Sequence, residues 1–198
     1  MRSRRAWGAA LAALALLAGC RTAPPVLPAS LTWQVRQVQL QARAHFTLKG
    51  RVAVAAAGSG FNASLRWVQD GGSSWATLQG PLGAGGVEVA TDGSELHIVT
   101  SNGAELRGEA ARAELSARLG FDPPLASLRY WILGVPDPTT PADETLDEAH
   151  QRLKSLTQDG WHIDYANYMT SGDEWLPSRV TLERADVRVR LIVDAWQS

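Results

Sequence analysis

The chain is poor in residues that support reactive chemistry. Among its 198 residues it has one cysteine, Cys20, and four histidines. A lone thiol forms no disulfide within the chain and, without neighbouring ligands, predicts no metal or redox site. The histidines belong to no HExxH or similar ligand spacing: they are His45, His97, His150 and His162. No GxSxG nucleophile elbow occurs either, so we expect a protein without catalysis, metal or cofactor.

An excess of charge of one sign is lacking as well. The 19 basic and 20 acidic residues nearly balance, whereas nucleic-acid-binding proteins carry a clustered basic face. We therefore expect no nucleic-acid partner. The segment from Gly58 to Ala63 matches the loose dinucleotide pattern GxGxxA, but an alternating strand pattern follows it instead of a helix. These glycines are interpreted as a hairpin turn.

One marked apolar run is present, and it stands at the amino terminus. It extends from Ala6 to Ala18 behind three arginines, which is too short for a membrane span of roughly 20 apolar residues. A basic start, an apolar stretch and small residues indicate a secretory signal. The run ends in Leu17-Ala18-Gly19-Cys20, which resembles a bacterial lipobox. That resemblance implies S-diacylglycerol and N-acyl groups on Cys20; a membrane span and an ordinary signal peptide with a chance cysteine are the alternatives.

This interpretation divides the chain into three segments: a lipoprotein signal peptide at 1–19, a lipid-anchored tether at 20–30 and a domain at 31–198. The tether contains three prolines, which favour an extended conformation. Removing the three arginines of the signal leaves 16 basic and 20 acidic residues, a net charge of −4. A remaining length of about 179 residues suits one domain with a sizeable core.

Period-two hydrophobic patterns dominate the domain and predict strands separated by short turns, including the hairpin signal Asn102-Gly103. The predicted strands cover 46–54, 61–67, 75–79, 85–91, 96–100, 151–157, 161–168, 176–183 and 187–196. Helical spacing predicts helices at about 31–45, 109–119 and 125–133, the last two ended by Gly120 and Gly134. This order predicts an α+β fold, in which helices cover one face of a twisted antiparallel sheet.

Two features of the domain bear on function. The first is tryptophan, which occurs eight times in the chain and seven times after the predicted signal peptide, against three phenylalanines and three tyrosines. Four of the tryptophans have two possible roles: they either fill the core or line a pocket for an apolar ligand. These four are Trp67, Trp131, Trp161 and Trp196. The second is Leu82, which lies between Pro81 and Gly83 in a glycine-rich loop. It either folds back onto the sheet or forms an exposed apolar tip that touches a membrane or a partner.

An ordered series of motifs behind the lipobox extends from about 46 to 196. Its members are Lys49-Gly50-Arg51, Leu65-Arg66-Trp67, Gly80-Pro81-Leu82-Gly83, Leu128 to Pro136, Gln158 to Trp161, Tyr165, Tyr168, Leu176-Pro177 and Trp196. This series resembles the LolB family, the outer-membrane lipoprotein receptors of Gram-negative bacteria. The resemblance implies an incomplete antiparallel β-barrel of about 10–11 strands, closed by a few helices around a hydrophobic cavity.

The resemblance also implies a task without catalysis. Such a receptor accepts triacylated lipoproteins from the periplasmic carrier LolA and inserts them into the inner leaflet of the outer membrane. It is lipid-anchored in the outer membrane, faces the periplasm, and is expected here to be a monomer. The resemblance assigns the membrane-insertion loop to Pro81, Leu82 and Gly83.

Inward alternation together with the resemblance predicts the acyl-chain cavity. Its expected members are Phe61, Leu65, Trp67, Trp131, Ile132, Trp161 and Trp196. Two other functions are open at this point. One is a lipid-anchored structural or interaction protein whose tryptophans fill a core, and the other is a carrier of another lipid.

Overall fold

The computed structural model describes residues 32–81 and 85–197. The predicted signal peptide, the tether, the lipidation site Cys20 and the loop residues Leu82 and Gly83 lie outside the described residues. Within the described ranges there are three helices: α1 (Trp33–Gln41), α2 (Gly108–Leu119) and α3 (Leu125–Trp131). The same ranges hold eleven strands: β1 (His45–Ala56), β2 (Ser59–Asp70), β3 (Ser73–Gln79), β4 (Val87–Thr91), β5 (Leu96–Thr100), β6 (Glu105–Arg107), β7 (Ala142–Asp147), β8 (Arg152–Gln158), β9 (Trp161–Ser171), β10 (Glu174–Arg184) and β11 (Val187–Gln197).

All eleven strands of these ranges join one antiparallel sheet. Their order is β6-β5-β4-β3-β2-β1-β11-β10-β9-β8-β7. Strands that follow one another in the chain are neighbours in each half, and the two halves meet where β1 pairs with β11. The sheet is open, because β6 and β7 form its two edges. The predicted α+β fold, an incomplete antiparallel barrel with helices, is confirmed.

Strand β1 shows how the sequence creates the inner and outer faces. Its even-numbered residues from Phe46 to Val54 are buried, and the odd-numbered residues between them point outward, as the two-residue period of a strand requires. The pairing with β11 shifts register between Lys49 and Gly50. A Cβ atom on Gly50 would lie 2.3 Å from the carbonyl oxygen of Ile192. Glycine is therefore needed for the two halves of the sheet to approach each other.

The helices agree with the sequence prediction in position and differ in length. Helix α2 ends at Gly120, which has a φ of 78°, and Gly134 has the same φ in the turn after α3. Both glycines adopt the left-handed conformation that ends a helix. Helix α1 is shorter than the predicted 31–45, because His45 already belongs to β1.

The two edge strands were not predicted from the sequence. Strand β6 has only three residues, so it is too short to show an alternating pattern. Strand β7, of sequence ADETLD, has no fully buried residue. Short and charged strands are typical of sheet edges, where they discourage pairing with other chains. The pattern that predicts a half-buried strand is therefore weakest at the edges.

Among the residues that the structure describes, the core consists of three adjoining hydrophobic clusters. The largest contains Trp131 and Trp161 and lies between β1, β2, β8 to β11 and the helices α1 and α3. A second cluster, with Ile98 and Leu115, joins α2 to β4 and β5. A third, small cluster includes Val54 on the inner faces of β1 and β2. A cavity is lined by residues from all three clusters.

Candidate functional site

An apolar cavity of about 130 Å³ lies between the sheet and the helices α2 and α3. Strands β1 to β4 and β9 to β11 form one side of its wall. Helices α2 and α3 and the connection between them form the other side. Every side chain in the wall is apolar, so the cavity suits hydrocarbon and offers no group for acid–base or nucleophilic chemistry.

Four of the residues expected in the cavity lie in its wall. Leu65 and Trp67 come from β2, Ile132 directly follows α3, and Trp161 is the first residue of β9. Leu65 and Trp67 point inward because they share the inner face of the strand. The structure therefore brings these four side chains together. Their contact with an acyl chain stays a prediction.

The other three residues expected in the cavity do not lie in its wall. Trp131 is fully buried beside the cavity, and its indole Nε1 donates a hydrogen bond of 2.7 Å to Oε1 of Gln158. Trp196 donates from Nε1 to the carbonyl oxygen of Pro177 at 2.9 Å. Phe61 lies in a neighbouring depression and not in the cavity wall. All three side chains are at least partly buried. The alternating pattern predicts which residues point inward, but it does not tell whether an inward residue lines the cavity or packs in the core.

Apart from Ile132, the helical side of the wall was not among the residues predicted for the cavity. It includes Leu115 and Leu119 of α2, Phe121 in the connection, and Leu125 and Leu128 of α3. The signal that could have identified them is the spacing of the leucines. Positions four and three residues apart lie on one face of a helix.

A buried polar network fixes the α3 side of the cavity. The side-chain oxygen of Gln158 accepts hydrogen bonds from Trp131 Nε1 and from the backbone N–H of Asp137, at 2.7 and 2.9 Å. Its Nε2 donates to the carbonyl oxygens of Asp137 and Thr140, both at 2.8 Å. The Ser127 hydroxyl donates to the Asp137 carboxylate at 2.8 Å. Since these buried groups satisfy one another, the segment after α3 is held in one arrangement.

Two tyrosines of β9 also donate hydrogen bonds to backbone carbonyl groups, and that of Tyr165 reaches Trp131 of this network. The Tyr165 hydroxyl donates to the carbonyl oxygen of Trp131 at 3.0 Å, and the Tyr168 hydroxyl donates to that of Leu153 at 2.7 Å. Burial raises the pKa of both phenols above the ordinary value. Both therefore remain neutral donors at neutral pH.

Helix α2 is held in a different way. It buries Ala111 and Leu115 against the sheet. Its side-chain hydrogen bonds stay local, as between Arg118 and Glu114 at 2.7 Å. Within 32–81 and 85–197, no α2 side chain donates or accepts a hydrogen bond to a strand. Apart from its direct chain connection to β6 at Gly108, α2 is attached to the sheet by apolar contacts.

Hydrogen bonds link Trp67 of the cavity wall to the turn between β2 and β3. The Gln69 side chain accepts from Trp67 Nε1 at 3.2 Å and donates to the carbonyl oxygens of Gly71 and Ser73 at 3.0 and 2.9 Å. Arg129 of α3 also donates to the Gly71 carbonyl, at 3.3 Å. These bonds tie α3 to the turn between β2 and β3.

The cavity also adjoins a depression of about 330 Å³. The depression shares Leu78, Leu115 and Leu119 with the cavity and reaches Pro81 and Gly85 at the base of the loop after β3. We call this depression the mouth. Pro81, from the expected insertion loop, is exposed there.

Neither metal ligands nor a membrane-crossing helix is found in the part of the chain that the structure describes. No group of three or more His, Cys, Asp or Glu side chains could hold a metal ion there. No helix there has the length and apolar character needed to cross a bilayer.

An open antiparallel sheet that wraps a wholly apolar cavity defines a class of carriers and receptors for apolar ligands. The family model described as "Outer membrane lipoprotein LolB" matches residues 44–196. The chain belongs to the LolB family, whose members are outer-membrane lipoprotein receptors. It is not a catalytic family and uses no cofactor.

Relatives of the chain agree with this assignment over nearly their full length. The chain is 37% identical to the outer-membrane lipoprotein LolB of Nitrosomonas europaea over 199 residues, covering 98% of this chain and 92% of the relative. It is 35% identical to that of Nitrosococcus oceani over 190 residues, 94% of each protein. For LolB of Pseudomonas aeruginosa the identity is 32% over 193 residues, covering 95% of this chain and 94% of the relative.

Solved structures share the fold at low sequence identity. A LolA superfamily protein from Nitrosomonas europaea superposes with a TM-score of 0.53 at 11% identity, covering 85% of this chain and 94% of that protein. A DUF1329 family protein from Desulfovibrio piger gives a TM-score of 0.52 at 8% identity, covering 83% and 90%. At these identities the likeness concerns the fold alone.

Proposed function

We propose that this receptor accepts acylated lipoproteins from a periplasmic LolA-like carrier and inserts them into the inner leaflet of the outer membrane. A lipid on Cys20 anchors it there, facing the periplasm. Family membership supports the task, and the observation that carries the proposal is a cavity whose wall contains only apolar side chains.

The physical requirement for such a receptor is burial of hydrocarbon. Burying one CH₂ group is worth about 0.8 kcal/mol, so a sixteen-carbon chain in water costs on the order of 12 kcal/mol. Transfer through water without a carrier is therefore very slow. An apolar wall lowers this cost by contact and burial, neither of which demands one precise chain length.

The cavity must widen to hold such a chain. An engineered cavity of about 150 Å³ binds a ligand the size of benzene, and the cavity here has about 130 Å³. We expect helix α2 to move outward on binding about its connection to β6, because its other contacts with the sheet are apolar. The α3 side keeps its place through the Gln158 network.

The proposal can be tested by measuring lipoprotein transfer in a variant whose cavity is partly filled by a larger side chain. Ala76 of β3 lies in the wall, and Ala76→Leu adds three carbon atoms to the cavity. We expect binding of a fluorescent acyl probe and acceptance from a loaded carrier to fall at least tenfold, because about two methylenes of ligand lose their space. The free energy of unfolding should stay unchanged or rise by about 1 kcal/mol.

Ala90→Leu provides the matched control. Ala90 pairs with Trp75 on the outer face of the sheet, so the same enlargement leaves the cavity unchanged. Normal transfer by Ala76→Leu would contradict the assignment of the cavity to acyl chains. If the purified protein contained phospholipid but accepted no lipoprotein from the carrier, this result would instead favour the alternative that the protein carries another lipid.

The loop after β3 is proposed to carry out insertion. Pro81 is exposed beside the mouth, and Leu82 follows it in the sequence. We expect Leu82→Glu to accept lipoprotein from the carrier at the normal rate but to release it poorly into liposomes, since a carboxylate resists entry into a bilayer. Leu82→Val serves as the apolar control, and unimpaired release by Leu82→Glu would reject this role.

A further inference from the structure

Strand β2 has two edges that are paired to different extents. Toward β1, all twelve of its residues are in register, from Ser59 opposite Ala56 to Asp70 opposite His45. Toward β3, pairing begins only at Ser64. Within the described ranges, residues 59–63 therefore have a strand on one side only. We call these five residues the free edge.

The hairpin geometry shows which backbone groups point to that edge. Ala57 and Gly58 both have positive φ, at 50° and 76°, which makes the two-residue turn between β1 and β2 a type I′ turn. In such a hairpin the residues that flank the turn are hydrogen-bonded to each other, and alternate residues direct their N–H and C=O to opposite edges. Gly60 and Asn62 consequently direct theirs to the free edge.

Depressions flank the free edge on both faces of the sheet. On the inner face lies the mouth, which includes Phe61 and adjoins the cavity. On the outer face lies a depression of about 590 Å³ that includes Arg51, Asn62 and Arg190. A strand added here would direct alternate side chains into the two depressions.

We infer that the free edge binds the polypeptide that follows the acylated cysteine of the cargo, as a short additional β-strand. The inference rests on the proposed function. Acyl chains in the cavity are covalently joined to the first residue of the cargo, so its main chain leaves through the mouth, along residues 59–63. Addition of an extended peptide to a sheet edge is a known mode of recognition.

This mode explains how one receptor serves many cargoes. Backbone N–H and C=O groups are the same in every peptide except at proline. Hydrogen bonds to Gly60 and Asn62 therefore hold the start of any extended chain without reading its side chains. The roomy depressions on either face accept varied side chains.

The test compares a triacylated cysteine peptide with a four-residue tail, the same lipopeptide with an N-methylated tail, and an acyl probe without peptide. Asn62→Pro removes the N–H at the free edge. Proline is tolerated where the N–H points away from a neighbouring strand, so the pairing with β1 survives. Asn62→Ala, which keeps the N–H, is the control.

We expect wild type and Asn62→Ala to bind the lipopeptide about fivefold more tightly than Asn62→Pro, the effect of one hydrogen bond. N-methylation should weaken binding to wild type by a similar factor, while the acyl probe binds all variants equally. Equal lipopeptide binding by all variants, with normal acyl-probe binding, overturns the inference but leaves the proposed function intact. A defect confined to transfer from the carrier also overturns it, in favour of carrier docking. Absence of binding by every probe rejects both.

Discussion

The two helical sides of the cavity differ in how they are attached to the same sheet. On the α3 side, Gln158 joins the indole of Trp131 to the segment at Asp137 through several buried hydrogen bonds. On the α2 side, contact depends on buried apolar side chains such as Ala111 and Leu115. Buried hydrogen bonds require one geometry, whereas apolar contacts tolerate sliding. We therefore expect the cavity to have a fixed wall on the α3 side and a displaceable wall on the α2 side.

This division suits a receptor that takes in ligands larger than its empty cavity. Displacing α2 exposes apolar surface, and under the proposed function an incoming acyl chain would cover that surface again. Displacing the α3 side would leave buried donors and acceptors without partners, which costs more for each group. Opening is therefore expected on the α2 side, next to the mouth.

The largest expected effect comes from removing the centre of the fixed wall. Gln158→Ala leaves the indole N–H of Trp131 and the backbone groups of Asp137 and Thr140 without their partner. Each unsatisfied buried group costs about 1–3 kcal/mol, so we expect the free energy of unfolding to fall by about 3–5 kcal/mol. Urea denaturation measures this change.

Gln79→Ala is the control for that substitution, because Gln79 is exposed at the end of β3. Its effect should stay within about 0.5 kcal/mol. If Gln158→Ala were as mild as the control, the fixed wall would not depend on this network and the contrast between the two sides would lose its basis.

The next prediction distinguishes an effect on the stability of the protein from an effect on the opening of the cavity. Leu115→Ala on α2 and Leu133→Ala after α3 each remove a buried leucine side chain, and each should lower the free energy of unfolding by about 2–4 kcal/mol. Only Leu115→Ala should speed entry of a fluorescent acyl probe in stopped-flow measurements, since it loosens the displaceable wall. Equal acceleration by both variants would show that the two sides open alike.

The smallest expected effect is a dependence on alkaline pH. Burial raises the pKa of Tyr165 and Tyr168 in the folded protein, while in the unfolded chain the pKa of tyrosine is about 10. The unfolded state therefore loses protons first, and stability that is present below pH 10 declines as pH rises beyond it. Denaturation between pH 8 and 11 should show a smaller decline for Tyr165→Phe combined with Tyr168→Phe. An identical decline would assign it to other groups.

Prediction from the sequence succeeded where one physical signal dominates. The central strands alternate strictly because one face is buried, as in β1 from Phe46 to Val54. Gly120 and Gly134 end helical segments because few other residues adopt their φ. The edge strands β6 and β7 lack a buried face, so their sequences carry no comparable signal.

The candidate site could be predicted only in part. Leu65 and Trp67 follow from alternation, which places both on the inner face of β2. Trp131 also points inward, but whether an inward residue meets space or another side chain depends on residues distant in sequence, such as Gln158. The contribution of Leu115 depends on where α2 lies across the sheet, which local periodicity does not determine.

The pairing of β1 with β11 determines when the cavity comes into existence. Thr47 pairs with Gln197, so this contact joins nearly the two ends of the domain, and it closes a long loop that carries a large entropic cost. Two strands of the first half, β3 and β4, can pair early, but Val189 and Leu191 of β11 also belong to the cavity wall. A chain whose last strand has not yet paired therefore has an apolar groove and no enclosed cavity.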